Sequence, residues 1–355
     1  CKFKWSWRSR IMSDLKINNI TNRSGDGGPV IAGVSTVSTS AFMIMPSGDT
    51  AIRGAGSGRG IIAGSFNPSP TNIDKIEIAS TGNATDFGLL KNEHGWSFPT
   101  ASSTRAIFSG GYSNPTAIIS GMDYVVISSG GGGNDFGDMS TGLKQGAGFS
   151  DSTRGVFATG AGASPSPVTS AISFITMAST GSESNFGDAL LARRGAKGLA
   201  SPTRGVFAQG GFETAPATNA TNVLEFVTIQ SGGNSVEFGD LTSTHEFQGA
   251  AASNTTRGIL AGGYTTPANS NIIDYITIAT LGNAQDFGDL VQARHGGGGM
   301  TNATRAVFAG LWNGAANNII DYVTISTTGN AVDFGDTTTT IYYSDTCSDT
   351  HGGLG

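Results

Sequence analysis

Residues 257–290 read RGILAGGYTTPANSNIIDYITIATLGNAQDFGDL, and this stretch decides the fold. It begins with a short apolar run that ends in a pair of glycines. The run NIIDYITIA (271–279) then alternates between two faces, as a β-strand does. Gly282 and Asn283 tolerate positive φ and mark a turn before a third run, AQDFGDL. No helical period of 3.6 is present, so the stretch is predicted to form consecutive β-strands.

The same unit occurs six times along the chain. Each copy opens with an arginine before an apolar strand, and these residues are Arg59, Arg105, Arg154, Arg204, Arg257 and Arg305. A phenylalanine followed by glycine also recurs, at Phe87, Phe136, Phe186, Phe238, Phe287 and Phe334. Residues 292–303 and their equivalents supply a fourth strand before the next arginine. Four strands in about 50 residues predict a propeller blade, whereas a parallel β-helix would have much shorter coils.

The repeated residues are interpreted as scaffold. An arginine that recurs once per blade with the same neighbours is expected to support the framework through hydrogen bonds, rather than to bind an anion. The repeated phenylalanines are expected in the core between blades, with the following glycine allowing close packing and the flanking aspartates capping turns. The Asp-Phe-Gly triplets look like the kinase magnesium motif, but the other kinase motifs do not accompany them.

The chain ends suggest how the ring closes. No clear strand precedes Arg59, and we expect residues 338–347 to supply the missing strand of the first blade, which removes free sheet edges. The prediction is therefore an all-β, six-bladed propeller over residues 57–355, closed by a C-terminal strand. A short N-terminal β extension is expected at 13–56, and an irregular segment at 1–12. Residues 1–11 are interpreted as an extension upstream of a natural start at Met12, or as a short basic anchor.

Composition excludes several classes of protein. The chain has 54 glycines, roughly double the average share, yet phenylalanine and β-branched residues recur at fixed places and can build a core, which argues against disorder. A formal charge of −6 gives no basic field for nucleic acid, and no apolar run is long enough for a membrane helix. We expect no disulfide framework from Cys1 and Cys347, and no cofactor. No metal site is predicted, because no metal-binding spacing joins the histidines His94, His245, His295 and His351.

Two sets of connections differ in character. The turns before each arginine and before each Phe-Gly are short and nearly uniform, and are expected on one face. The connections after the glycine pair vary from copy to copy and are expected on the other face, where binding usually resides. Candidate binding residues there are Phe66, Asn67, Tyr112, Asn114, Phe212, Tyr264, Trp312 and Asn313. Aromatic rings beside amides suit sugar faces and hydroxyls, although the rings could equally shield blade edges.

The order of glycine pair, tyrosine-bearing strand and aromatic strand over about residues 57–350 resembles the kelch repeat, with phenylalanine where kelch repeats have tryptophan. The resemblance implies a propeller but no particular function. The segments INNITNRSGDGGPVIAGVST (17–36), MPSGDT (45–50) and CSDTHGGLG (347–355) flank these blades. Together they resemble repeat proteins of tailed phages of marine bacteria, notably cyanophages, which implies a virion structural protein such as a tail fibre.

We therefore expect a phage virion protein with a structural and binding role and no catalytic residues. The N-terminal segment is expected to bind other virion proteins, and the variable face to bind a host surface glycan or a neighbouring subunit. A homo-oligomer on the particle is expected, with neither nucleic-acid binding nor membrane insertion. The alternatives are a glycan-active propeller enzyme, a decoration protein on the capsid surface, and an intracellular kelch adaptor.

Overall fold

A computed structural model describes residues 58–66, 71–113, 117–163, 168–208, 210–214 and 217–354. Its regular structure is β-strand throughout, apart from a short 3-10 helix at Gly352–Leu354, so the predicted all-β class is confirmed. The segments predicted at 1–12 and 13–56 lie outside the described residues. In the described part of the chain, no helix is long and apolar enough to span a membrane.

Six four-stranded antiparallel sheets form the blades, which confirms the predicted propeller. The innermost strands of blades one to six are Asp345–Ser348, Phe98–Ala101, Ala147–Ser150, Lys197–Ala200, Phe247–Ser253 and Gly298–Thr301. The second strands are Arg59–Ala63, Arg105–Ser109, Arg154–Ala158, Arg204–Ala208, Arg257–Thr265 and Arg305–Ala309. The third strands are Asn72–Glu77, Gly121–Val126, Ala171–Thr176, Thr221–Thr228, Ala268–Thr277 and Asn317–Thr324. The outermost strands are Thr85–Leu89, Asn134–Asp138, Ser184–Asp188, Val236–His245, Gln285–Asp289 and Val332–Ile341.

Two small ribbons project from the connections between second and third strands. Tyr112–Ser113 pairs with Ala117–Ile118 in blade two, and Phe212–Thr214 pairs with Ala217–Asn219 in blade four. We call the face that carries these connections the loop face. The opposite face, with the turns before each repeated arginine, is the turn face.

The hydrophobic core lies between the blades. Six apolar clusters each join residues of two neighbouring blades, so every sheet is covered on both sides. The third strands therefore carry apolar residues on both faces, as buried strands do. In five blades the repeated phenylalanine packs edge-on against an aromatic ring of the third strand, at centroid distances of 5.8 to 6.2 Å.

The C-terminal strand closes the ring, as predicted, but its bounds differ from the expected 338–347. Asp345–Ser348 pairs with Arg59–Ala63, and Asp345 lies opposite Ala63. Residues 338–341 belong instead to the outermost strand of blade six, because Ile341 pairs with Asn317 and extends that strand beyond the Phe-Gly element. The next residue after the closing strand, Asp349, accepts hydrogen bonds from the backbone N–H groups of Gly58 and Arg59 at 3.0 and 2.8 Å.

The repeated arginines link each blade to the next. In five blades the guanidinium lies over the third-strand aromatic ring of its own blade, 4.4 to 4.8 Å from the ring centre. In all six, Nη1 donates to a backbone carbonyl of the following blade at 2.7 to 3.2 Å; the acceptors are those of Ile127, Met177, Ile229, Ile278, Ile325 and Ile78. The last contact, from Arg305 to Ile78, joins blade six to blade one.

Buried carboxylates link the blades in the opposite direction. The third strand carries a buried acid in five blades, namely Asp74, Asp123, Glu225, Asp274 and Asp321. Each accepts a backbone N–H from the preceding blade, from Thr338, Asn92, Leu190, Thr242 and Val291 respectively. Arg193 and Arg294 add ion pairs to Glu225 and Asp321, and His94 Nε2 lies 3.4 Å from Asp123 Oδ2. Burial raises the pKa of Asp321 above its usual value despite Arg294, whereas His94 and Asn92 hold the pKa of Asp123 low against the effect of burial.

The C-terminal residues occupy the central channel near the turn face. His351 is half-buried there, with Nε2 2.8 Å from the carbonyl oxygen of Ala101. The next two residues have to be small, because a Cβ on Gly353 would stand 1.8 Å from the Ser150 carbonyl oxygen. The chain therefore fills the channel at this end with glycine backbone.

Candidate functional site at the channel mouth

The site lies at the opposite, loop-face end of the channel. In five blades, the residue two positions before the innermost strand adopts positive φ; these residues are Trp96 (55°), Gln145 (60°), Gly195 (76°), Gly296 (69°) and Tyr343 (55°). Glycine adopts this conformation at no steric cost, whereas a bulky side chain loses about 1–2 kcal/mol there. Two blades thus hold large aromatic side chains where the equivalent positions of two others are glycine.

A cavity of about 130 Å³ lies at this mouth. Its lining side chains and glycines are Trp96, Gln145, Gly195, Ala196, Lys197, Phe247, His295, Gly296 and Tyr343. These residues come from all six blades and stand at or just before the start of the innermost strands, so the cavity sits on the propeller axis rather than between two blades. The site is therefore built by the whole ring.

An ion pair crosses the channel beside this cavity. Lys197 Nζ, from blade four, lies 2.9 Å from Asp345 Oδ1 in the closing strand of blade one. The second carboxylate oxygen accepts the backbone N–H of Ser97 at 2.5 Å and its hydroxyl at 3.0 Å. Because the Asp345 side chain is buried and fully engaged, it fixes the Lys197 ammonium at the inner end of the cavity.

A neutral hydrogen-bond chain forms one wall. His295 lies with Nδ1 2.7 Å from Asn269 Oδ1 and Nε2 3.1 Å from the Tyr343 hydroxyl. Burial lowers the pKa of His295 to about 4 and raises the pKa of Tyr343 to about 12. Both groups are therefore uncharged near neutral pH, and the imidazole donates from Nδ1 to the amide oxygen and accepts the phenol proton at Nε2.

Aromatic rings continue outward from the cavity. We define the aromatic belt as Phe66, Trp96, Tyr112, Phe247, Tyr264, His295, Trp312, Tyr342 and Tyr343. Ring centres lie 4.9 Å apart for Phe66 and Tyr112, 4.5 Å for Trp96 and Tyr343, and 4.7 Å for Trp312 and Tyr342. Tyr264 lies 5.1 Å from His295. These are normal distances for favourable ring contacts, so the rings form one continuous surface.

Two cations border the belt where blades three and four meet the mouth. Lys144 Nζ lies 4.9 Å from the Tyr112 ring centre, and the Arg194 guanidinium lies 5.5 Å from that of Phe247. Such cation–π contacts stabilise both partners by about 0.5–2 kcal/mol. The mouth is therefore asymmetric, with aromatic residues on the side of blades five, six, one and two and basic residues on the other side.

The structure brings together half of the binding residues proposed from sequence. Phe66, Tyr112, Tyr264 and Trp312 all belong to the aromatic belt. Asn313 lies in the neighbouring connection, where its amide donates to Gln292 Oε1 at 2.9 Å. Asn67, Asn114 and the side chain of Phe212 lie outside the described residues.

Sequence reasoning missed the residues nearest the axis. Trp96, Gln145 and Tyr343 stand in the segments before the innermost strands, which looked like plain connections, and Phe247 is the first residue of the innermost strand of blade five. The sequence did contain a signal, because Trp96 and Tyr343 stand where two other copies carry glycine. His295 was considered only among the four histidines that have no metal-binding spacing. No group of three or more His, Cys, Asp or Glu in the described ranges is arranged to hold a metal ion.

The fold defines the class of protein, a six-bladed β-propeller closed by its C-terminal strand. Comparison with models of known protein families gives no match, and no curated protein matches the sequence. Propellers carry many unrelated functions, so the function has to be argued from the site.

Proposed function

We propose that this protein is a binding propeller of a bacteriophage particle, which attaches to a surface glycan through the aromatic belt on its loop face and performs no catalysis. The observation that supports this proposal is the contrast between the two faces. The turn face carries residues that recur in every blade and hold the ring together. The loop face carries the connections that vary from copy to copy, and the aromatic belt lies there around the channel mouth.

The chemistry of the belt suits sugars. Aromatic ring faces stack on the C–H surfaces of sugar rings, while amide, hydroxyl and ammonium groups bond to hydroxyls. Neighbouring rings such as Trp312 and Tyr342 offer several such faces side by side, and the Lys197 ammonium and the Gln145 amide supply polar partners. A rigid scaffold with a preformed surface also limits the entropy lost on binding.

The proposed setting on a phage particle is supported by the resemblance of residues 17–36, 45–50 and 347–355 to repeat proteins of tailed marine phages. In this proposal the N-terminal residues attach the propeller to other virion proteins, and several copies act together on one particle. Multiple weak contacts would then add up to firm attachment through their high effective concentration.

The glycan proposal is tested with polysaccharide from the host cell surface immobilised on a sensor chip. We expect the purified protein to bind, and Trp312→Ala to weaken binding two- to tenfold, because one aromatic contact contributes about 0.5–1.5 kcal/mol. Leu281→Ala is the matched control, since this residue is 57% exposed in a turn away from the loop face. Equal losses in both variants, or no binding at all, would contradict the proposal.

Two further readouts test the rest of the proposal. Antibodies against the chain should label purified phage particles in electron microscopy, and absence of the chain from the particles would refute the virion role. Incubation with the polysaccharide should release no new reducing ends or unsaturated products. Release that disappears in a point variant would favour a glycan-active enzyme instead.

A further inference from the structure

We infer that the cavity on the propeller axis binds one terminal sugar ring, end-on, with Trp96 and Tyr343 as its walls and Gln145 and Lys197 as its polar contacts. This inference rests on the proposed glycan-binding function and goes further, because it assigns a pocket and a unit of recognition. The aromatic belt would then contact the rest of the glycan chain.

The size of the cavity fits a single ring. A cavity of about 150 Å³ holds one benzene molecule, and larger organic ligands take about 300–1,000 Å³. At about 130 Å³, with an opening toward the loop face, this cavity has room for one six-membered ring whose substituents point outward. A glycan chain has no room to pass through the channel, because the Lys197–Asp345 pair crosses it and the C-terminal residues fill its far end.

A buried acceptor in the lining has no partner. Gln145 is 8% exposed, and its side-chain oxygen Oε1 accepts no hydrogen bond. An unsatisfied buried polar atom costs about 1–3 kcal/mol, which a hydroxyl donated by a ligand would recover. Lys197 offers further donors, since an ammonium group has three N–H bonds and Asp345 takes one of them. A hydroxyl-bearing ring satisfies both groups at once.

The walls are held at a conformational cost. Trp96 and Tyr343 both have φ of 55°, and Gly195 and Gly296 occupy the equivalent positions in blades four and six. Bulky residues persist in this conformation mainly where function requires them, as strained positions cluster at binding sites. The ring centres of Trp96 and Tyr343 are 4.5 Å apart, so the strained backbone places two adjoining aromatic faces at the cavity.

The test uses saturation-transfer NMR of the full chain with the methyl pyranosides of glucose, galactose, mannose, N-acetylglucosamine and glucuronic acid as probes. We expect saturation transfer to the ring protons of at least one probe. Trp96→Gly and Tyr343→Gly should each weaken its binding at least tenfold while the protein stays folded, because glycine is native at the equivalent positions. Gln145→Leu keeps the side-chain volume and should also weaken binding, by removing the acceptor.

Trp312→Ala is the comparison variant, since Trp312 lies in the belt but does not line the cavity. It should retain methyl-pyranoside binding while it loses affinity for the polysaccharide. If the protein binds polysaccharide but no methyl pyranoside, or if Trp96→Gly leaves pyranoside binding unchanged, the pocket assignment is overturned and the proposed function stands. If neither polysaccharide nor pyranoside binds, the proposed function itself has failed.

Discussion

Removal of Asp321 tests whether the buried carboxylates hold the blades together as charge pairs. Arg294 Nη2 lies 2.5 Å from Asp321 Oδ2, and both side chains are fully buried. Asp321→Leu leaves a buried guanidinium without its partner, which costs about 3–5 kcal/mol. It also leaves the Val291 N–H, 3.3 Å from the same oxygen, without an acceptor. Arg294→Met/Asp321→Leu removes both charges and should recover most of the loss.

The assay is urea unfolding followed by tryptophan fluorescence. With a slope of about 3 kcal/mol per molar, a loss of about 4 kcal/mol lowers the midpoint by about 1.3 M in Asp321→Leu. The double variant should lie within about 0.5 M of the native protein. Ser173→Ala is the matched control, because blade three carries serine at the equivalent position and no charge pair. If the single and double variants lose equal stability, the pair is not coupled and the reasoning is refuted.

The repeat explains why the fold could be predicted from sequence. Because the unit recurs six times, alignment of the copies shows which residues form strands, turns and core. The number of blades, the number of strands in each and the closure of the ring all followed from that alignment. The bounds of the closing strand were less accessible. Nothing local in TTTTIYYSDTCS marks where the outermost strand of blade six ends, since threonine and isoleucine favour strands in either place.

The partners of the buried carboxylates were also not predictable from the sequence. The alternation in NIIDYITIA suggested two faces, but both faces of a propeller strand are buried against other blades. Asp274 is therefore not solvated, and its partners on Thr242 come from the preceding blade. Contacts between blades depend on the relative rotation of neighbouring sheets, which the sequence of one repeat does not contain.

The binding residues could also be predicted only in part. Those on variable connections could be proposed because the connections differ visibly in length. Trp96 and Tyr343 differ from the repeat at a single position, and their importance depends on a backbone conformation that only the structure reveals.

Three further predictions concern acid stability and the closing segment. Burial lowers the pKa of His245 and His295 to about 4, so the folded state binds fewer protons than the unfolded state between pH 4 and 6.5. The free energy of unfolding should therefore fall as pH falls through this window, by up to about 3 kcal/mol per histidine. The urea midpoint of His245→Gln should depend less steeply on pH than that of the native protein. Asp349→Ala should lower the stability measured by thermal unfolding by about 1–2 kcal/mol, because it removes the acceptor of a backbone N–H group. Asn302→Ala removes the equivalent acceptor in blade six and should lower stability by a similar amount. Unchanged stability in Asp349→Ala would argue against the closing role of this segment. Gly353→Ala should displace the C-terminal residues from the channel, since the new Cβ would overlap a carbonyl oxygen, and hydrogen exchange of residues 349–354 should accelerate without a change elsewhere in the ring.

The central claim is that the loop face around the channel mouth binds a glycan while the turn face maintains the ring. Hydrogen–deuterium exchange of the protein with and without saturating host polysaccharide tests it most directly. We predict that the polysaccharide slows exchange in peptides that cover residues 94–97, 310–313 and 341–344, and leaves the turn at residues 151–154 unchanged. Protection concentrated at the turn face, or none on either face despite measured binding, would contradict the account.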